Sequence, residues 1–313
     1  MAMALFNILI FPGFLFIGVF GMLAEYIDRK LCAMLQNRVG PPWFQPFADF
    51  IKLAAKEDII PEQADAQVFT LMPVVALTGT VTAFFCIPLW GTKALFSFNG
   101  DLVVVLYLMT IPTMTYFLGG WYSRSVFSMI GAARSITQLF AYEIPLFLSI
   151  LAPAMLANTW SLSEMAVYYN SHPWFGLFNI AGFVIALVAL LGKLEKVPFD
   201  IPEAETEIVA GTFTEYSGRL LALFRMCIDV EMVVGASLLA AVFLPFGVHY
   251  GPAIGFGLYL VKVLFVVALL SVLRTIFARL RIDQMISFCW KYMAPAAFLQ
   301  LLADLIIKGI HAP

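Results

Sequence analysis

Eight apolar segments, each close to twenty residues long, leave this chain few ways to fold. They fall at about 3–24, 67–90, 101–119, 137–157, 175–192, 220–247, 252–273 and 288–308. At a rise of about 1.5 Å per residue, each is near the length of helix that crosses a hydrocarbon core roughly 30 Å thick. An isolated strand would leave backbone groups unpaired in lipid, and no alternating barrel pattern is present. The expectation is therefore an all-α integral membrane protein, a bundle of about eight transmembrane helices forming a single transmembrane domain over 1–313. The N-terminal MAMALFNILIF has no basic run and no cleavage signal, so it reads as a retained first span.

The few charges are unevenly placed. Only 12% of residues are charged, about half the share of a soluble domain. Arg29, Lys30, Arg38, Lys52 and Lys56 follow the first span, and Arg124 and Arg134 follow the third. Lys193, Lys196 and Arg219 follow the fifth, and Arg274, Arg279 and Arg281 follow the seventh, with Lys291 just inside the eighth. The other set of connections carries Lys93 and the near-terminal Lys308. By the positive-inside rule this predicts a multi-pass protein of the cell membrane with both termini outside and four cytoplasmic connections.

The first long connection contains QPFADFIKLAAKED, Gln45 to Asp58. Phe47, Phe50, Ile51 and Ala54 recur at helical spacing, opposite Asp49, Lys52 and Lys56. That pattern predicts an interfacial amphipathic helix after the first span, in the membrane surface or under a partner subunit. Arg38-Val-Gly-Pro-Pro-Trp43 before it reads as a rigid turn.

Between the fifth and sixth spans lies PFDIPEAETEIVAGTFTEYSG, Pro198 to Gly218, with five of the chain's twenty carboxylates: Asp200, Glu203, Glu205, Glu207 and Glu215. Topology makes this an acidic cytoplasmic loop. Asp200 is spaced to cap a short helix, with Glu203 three residues on. In such a helix Glu203 and Glu207 share a face and Glu205 points elsewhere. Carboxylates so crowded and withdrawn from water would take up protons near neutral pH.

Four ionisable groups fall inside predicted spans: Glu143, Asp229, Glu231 and Lys262. Each costs about 2.5–3.5 kcal/mol near a helix centre, so they mark either a buried ion pair, such as Lys262 with Asp229 or Glu231, or a polar path for protons. Asp229 and Glu231, two residues apart, project about 200° apart and cannot share one partner. Pro145, two residues after Glu143, frees a backbone carbonyl and predicts a kink.

Other chemistries find no support. Cys32, Cys86, Cys227 and Cys289 are widely spaced and His172, His249 and His311 isolated, so this chain alone offers no iron–sulfur or zinc site. No P-loop, GxGxxG or nucleophile motif is present, and no internal repeat suggests a self-contained transporter. Nothing points to nucleic acid.

Several motifs together resemble one family. They are Gln36-Asn-Arg-Val-Gly-Pro41, Gln45-Pro-Phe-Ala-Asp49, Lys52-Leu53 with Lys56-Glu57-Asp58, Tyr142-Glu143, Pro198-Phe-Asp-Ile-Pro-Glu-Ala-Glu205 with Glu207, Glu215-Tyr-Ser-Gly218, and Arg279-Leu-Arg-Ile-Asp-Gln284 with Trp290-Lys291. In order, from first span to last, they look like the H-subunit family of respiratory complex I, the NADH-quinone oxidoreductase. That family also supplies the membrane heel subunit of energy-converting, group 4 nickel–iron hydrogenases and their sulfur-reducing relatives. Gly40-Pro41-Pro42-Trp43 stands where quinone-reducing members usually have Gly-Pro-Asn, and Lys193 stands where they usually have Glu. Both departures make the chain look more like the hydrogenase branch.

The resemblance implies that the chain does no bond chemistry and holds no cofactor. Iron–sulfur clusters, and a nickel–iron centre in the hydrogenase case, would sit in partner subunits: a hydrogenase-like large subunit and small iron–sulfur subunits docked on the cytoplasmic loops. Antiporter-like membrane subunits and lipid would surround the spans. Glu143, Asp200, Glu203, Glu205, Glu207, Glu215, Asp229, Glu231 and Lys262 would couple redox change to proton or ion movement. Arg38, Gln45, Asp49, Lys52, Arg279, Arg281 and Asp283 would face the peripheral arm. The alternatives are the heel subunit of a quinone-reducing complex, contributing to the quinone site, and a structural anchor without conduction.

Overall fold

The computed structural model describes residues 2–91, 94–247 and 250–311; the side chains of 2–4, 205, 206 and 311 lie outside that description. Lys93 and His249 fall outside it, as do the side chains of Glu205 and His311. Among the described residues every regular element is a helix. In chain order they are α1 (Ala2–Leu9), α2 (Phe14–Leu35), α3 (Gln45–Ala54), α4 (Ala66–Phe85), α5 (Asp101–Tyr122), α6 (Val126–Ala157), α7 (Leu162–Ser171), α8 (Pro173–Phe178), α9 (Ile180–Lys193), α10 (Glu205–Ile208), α11 (Gly218–Phe243), α12 (Pro252–Ile276), α13 (Ile282–Phe288) and α14 (Ala294–His311). A π-helical turn, Cys289–Met293, joins the last two.

Among the described residues seven helical stretches are long and apolar enough to cross a membrane: Leu5–Leu35, Ala66–Phe85, Asp101–Tyr122, Val126–Ala157, Gly218–Phe243, Pro252–Ile276 and Ile282–Ile310. The expected span at 175–192 is instead broken at Asn179, between α8 and α9. The Asn179 amide donates to the Tyr169 hydroxyl at 3.0 Å and to the Phe175 carbonyl at 3.4 Å, closing α8 before α9 begins. Helix α9 has 14 residues, about 21 Å at the usual rise. It lies within the bundle against α6, α11 and α14. Two other spans outrun their apolar limits: α2 continues to Leu35 rather than ending near 24, and α6 begins at Val126 rather than near 137. In both, polar residues inside the bundle find partners, so the helix has no reason to stop where hydropathy falls.

Helix α11 is the axis, the most enclosed span, 78% buried over its most apolar window. It packs on α2, α3, α4, α9 and α12. Close approach to α2 depends on Gly21, where a Cβ would come within 3.1 Å of the Asp229 backbone. Outward residues such as Leu71, Val184, Val261, Phe265 and Leu299 are exposed and apolar, as a lipid-facing surface requires.

The amphipathic helix is present as α3, packed on α2 and α11. Its inner face is Pro46, Phe47, Phe50, Leu53 and Ala54; Ile51, expected on that face, is 66% exposed. All the charged connections gather at one end of the bundle. Leu280 N–H donates to the Pro198 carbonyl at 3.0 Å, Ile59 N–H to the Ser217 hydroxyl at 3.0 Å, and Asp65 N–H to the Tyr122 carbonyl at 3.3 Å. Both ends of the helical chain lie at the other end, by alternation of the spans.

Candidate functional site

The acidic stretch folds as a plug. Pro198 and Pro202 prevent a continuous helix, and Phe199, Ile201, Ala204 and Ile208 turn inward while Glu207 is exposed. The buried Gln138 amide on α6 clamps the plug's base, donating to the Gly192 carbonyl at 2.7 Å and the Phe199 carbonyl at 2.8 Å.

This arrangement corrects the expected capping. The short helix is Glu205–Ile208, capped by no side chain, and Asp200 and Glu203 precede it. Asp200 pairs instead with Arg279 at 3.0 Å, Glu203 with Arg225 at 3.3 Å, and Glu207 with Arg134 at 2.7 Å. Glu203 and Glu207 therefore address different helices rather than sharing a face. Arg134, by hydrogen bond and charge, holds the Glu207 carboxyl below its ordinary value.

The last part of the motif is a clasp. Gly218 opens α11 at φ +58°, where a Cβ would meet Asp58 Oδ1 and the Glu57 carbonyl at 2.5 Å. Asp58 accepts from Arg219 N–H at 2.6 Å and pairs with its guanidinium at 2.7 Å. Tyr216 stacks on Phe69 with ring centroids 3.9 Å apart. Glu215 is half-buried beside this clasp. The segment 215–218 thus locks the loop after α3 to the start of α11.

Beneath the plug a cavity of about 680 Å³ opens at the charged end, within the 300–1,000 Å³ usual for small-molecule sites. Its walls mix apolar side chains, such as Met22, Phe50, Val197 and Met226, with a dense set of charges. Asp229, Glu203 and Asp200 line it, as do Asp49 and Lys52 of α3. Asp49 also accepts from the Gln45 amide at 2.8 Å.

Two buried ionic groups flank the cavity. On one side Lys196 reaches Glu25 at 2.8 Å and Asp28 at 2.7 Å, while Arg274 meets Asp28 at 2.7 Å and Arg29 meets Glu25 at 2.7 Å. Against the burial that pulls it down, the carboxylates of Asp28 and Glu25 raise the Lys196 ammonium above its ordinary value. On the other side Lys193, 2% exposed, pairs with Glu231 at 2.6 Å and donates to the Met109 carbonyl. Tyr116 donates to the same Glu231 at 3.2 Å. Asp229 and Glu231 both line the cavity, and the cation facing Glu231 is Lys193. Lys262, expected to pair with one of these acids, donates to the Phe246 carbonyl at the far end, its ammonium 4.3 Å from the Phe246 ring.

Sequence reading does not place Glu25 or Asp28, because hydropathy ends the first span near 24, and it counts Lys196 and Arg274 only as charges of the cytoplasmic connections, not as their partners. Glu25, Asp28 and Cys32, at i, i+3 and i+7, share one face and carried the signal. Glu143 is half-buried on α6, where the charge of Lys193 reaches it. Glu195 also lines the cavity, at φ +50°, accepting from the buried Ser135 hydroxyl at 2.7 Å. Burial pushes its carboxyl up to about 8, aided by the charges of Glu203 and Glu231 and opposed by Ser135 and Lys193.

Of the remaining expected surface residues, Arg279 borders the cavity as well as a second cleft, and Arg38, Arg281 and Asp283 do not line the cavity. Arg38 is exposed in the turn after α2. Arg279, Arg281 and Asp283 line a shallower cleft of about 290 Å³ with Arg134 and Glu207. Among the described residues no cluster of three or more His, Cys, Asp or Glu could hold a metal ion.

A family model described as NADH dehydrogenase matches residues 7–305. The H subunit of NADH-quinone oxidoreductase from Carboxydothermus hydrogenoformans is 34% identical over 95% of this chain and 85% of its own length. The H subunit from Syntrophotalea carbinolica is 36% identical over 94% of this chain and 95% of its own. Subunit 8 of the Thermus thermophilus enzyme is 33% identical over 92% and 82%. These relatives are named for quinone reduction, and they do not show the expected likeness to hydrogenase subunits. With a helical membrane bundle and the family model spanning almost its whole length, the chain belongs to the NADH dehydrogenase family, as a membrane subunit of the type called H in complex I.

Proposed function

We propose that this chain is the H subunit of a quinone-reducing complex and that its cavity forms part of the quinone site. The cavity carries the reading: about 680 Å³, open at the charged end, apolar along Met22, Phe50 and Met226 and polar at Tyr116, Lys193 and Glu231. A quinone has the matching chemistry, a flat apolar ring with two carbonyl acceptors on an apolar tail. The charged end faces the cytoplasm, as the distribution of Lys and Arg supports, and receives an arm whose iron–sulfur subunits deliver electrons. Arg38, Gln45, Asp49, Lys52, Arg279, Arg281 and Asp283 present polar groups to that arm. Antiporter-like subunits border the spans.

In this reading reduction of the quinone changes charge beside the cavity and shifts proton affinity among nearby carboxylates. Asp229, Glu231 and Glu143 carry the path inward, and Lys262 lies toward its far end. The acidic loop couples the arm to it through Asp200, Glu203, Glu205, Glu207 and Glu215.

A hydrogenase-type complex is the second reading, favoured by Gly40-Pro41-Pro42-Trp43 and by Lys193. The purified native complex decides between them. Reduction of a short-chain quinone, blocked by a competing quinone analogue, is expected. Hydrogen evolution with nickel present and no quinone reduction would overturn the quinone assignment. Reconstituted vesicles then test coupling: Glu143→Gln should stop ion uptake, whereas an unchanged ion-to-electron ratio would reduce the chain to an anchor.

A further inference from the structure

Most acids around the cavity are already matched. Glu25 has Arg29 and Lys196, Asp200 has Arg279, Glu203 has Arg225 and Glu231 has Lys193. A paired carboxylate resists protonation because giving up its charge strands the cation beside it. Glu195 and Asp229 differ: both line the cavity, and among the described residues no ion pair is formed to either. Asp229 lies within the span α11, whereas Glu195 sits in the loop after α9 and takes a hydrogen bond from neutral Ser135.

Its surroundings explain why. Lys193, the cation on α9, is turned away toward Glu231 and the Met109 carbonyl. The chain leaves α9 at Leu194, and Glu195 takes a left-handed backbone angle of +50° that an L residue adopts only at a cost. The elements packed around it present Glu203 from the plug, Glu231 from α11, Lys193 from α9, Tyr116 from α5, and Ser135 and Tyr142 from α6. Two of these are carboxylates, and Lys193 is engaged with Glu231.

We propose that Glu195, rather than the acids of Pro198–Glu207, is the carboxyl group that exchanges protons with the cavity. As carboxylate it takes a proton from cavity water, and as carboxylic acid it returns one, with no electron moved in either step. The plug acids then act as fixed charges: Asp200, Glu203 and Glu207 pin the plug to α6, α11 and the α12–α13 linker, and Glu203 also tunes Glu195. The proposal rests on the quinone-site reading only for the purpose of the exchange, because the group's protonation is measurable without turnover.

The test uses the whole purified complex. Infrared spectra are recorded across pH 6–10 in H2O and D2O, about two pH units either side of the expected midpoint. A protonated-carboxyl band that fades with a midpoint near 8 is expected in the parent, absent in Glu195→Gln, and present with a displaced midpoint in Glu195→Asp. Quinone turnover should fall about tenfold or more in Glu195→Gln, lose the alkaline limb of its pH profile, and recover partly in Glu195→Asp. Carbodiimide labelling followed by peptide mass mapping gives a third readout, with modification at Glu195 near pH 7 that declines as the pH passes 8. A titrating band that survives Glu195→Gln, or an unaltered pH profile in that variant, would overturn the proposal. Absence of quinone turnover in the parent complex, with the band still assigned to Glu195, would overturn the quinone reading alone.

Discussion

The cavity's two ionic walls are built on different terms. The wall of the first span holds the buried Glu25 and Asp28 against Lys196, Arg274 and Arg29, two carboxylates and three cations from three segments in one network. The plug holds Asp200, Glu203 and Glu207 at the rim, each facing one arginine; the Glu207 side chain is 53% exposed. Charges of the first kind cannot be lost singly without stranding a partner, whereas those of the second kind are replaceable by water. Acid density in sequence is thus a poor guide to where charge matters most. The conspicuous motif is a rim, and the decisive charges lie on a helix whose pattern reads as ordinary membrane span.

Removing the shared cation is the harshest way to break that contrast. Lys196→Met leaves Glu25 with Arg29 and leaves Asp28, 1% exposed, with Arg274 and the Ser271 hydroxyl. The expected loss is ~3–5 kcal/mol, the range for stripping one partner from a buried pair. It should appear as a steep drop in the thermal midpoint of the detergent-solubilised complex and in the amount of assembled chain. A loss as small as that of a rim variant would mean that water enters this wall and that both walls are alike.

Gly218→Ala probes the clasp between them. A methyl group there meets the Asp58 carboxylate and the Glu57 carbonyl at 2.5 Å, on a backbone of positive φ. A cost of about 1–3 kcal/mol follows from the strained backbone and the displaced contact. Limited proteolysis of the loop between α3 and α4 should speed up accordingly, while Gly257→Ala, where nothing lies within 4 Å, should leave the rate unchanged.

Glu195 adds a pH signature of its own. Its folded value near 8 lies above the ordinary 4.5, so between those values the folded chain keeps a proton that the unfolded chain has released. Stability therefore falls as pH rises across that window and flattens above 8. Comparing parent with Glu195→Gln, the difference in thermal midpoint should grow from pH 5 to pH 8, in the variant's favour, over roughly the window set by the two values. A difference that does not vary with pH would place Glu195 in open water.

Periodicity alone yields most of the bundle, because lipid admits one secondary structure and dictates its length. It yields α3 as well, since its inner face repeats at helical spacing. What it misses is decided by pairing across distant segments. Nothing near residue 24 announces that Lys196 and Arg274 lie opposite, so hydropathy ends the first span where its first acid occurs. Local capping logic fails at Asp200 for the same reason: Arg279, some eighty residues away, outcompetes the nearby backbone, and Pro202 forbids the helix to be capped. The break at Asn179 depends on Tyr169 and is likewise invisible to hydropathy.

The mildest effect is expected at the rim and sharpens the comparison from its other side. Glu207→Gln removes the pair with Arg134 but keeps a polar side chain at an exposed position. Arg134 also reaches the Ile201 carbonyl at 3.4 Å, so the plug keeps a tether to α6. The cost should be no more than about 0.5 kcal/mol, as for exposed ion pairs generally. The sign of its pH dependence is opposite to that of Glu195. Because Arg134 holds the folded Glu207 value below the ordinary 4.5, its small contribution is present above that value and fades as the pH falls through the lowered one. Parent and variant should therefore differ slightly near neutrality and converge in acid, and high salt should erase even the neutral difference. If Glu207→Gln instead abolished proton uptake in vesicles while the complex stayed assembled, the rim would be carrying protons, and the division between fixed and exchanging acids would have to be redrawn around the plug.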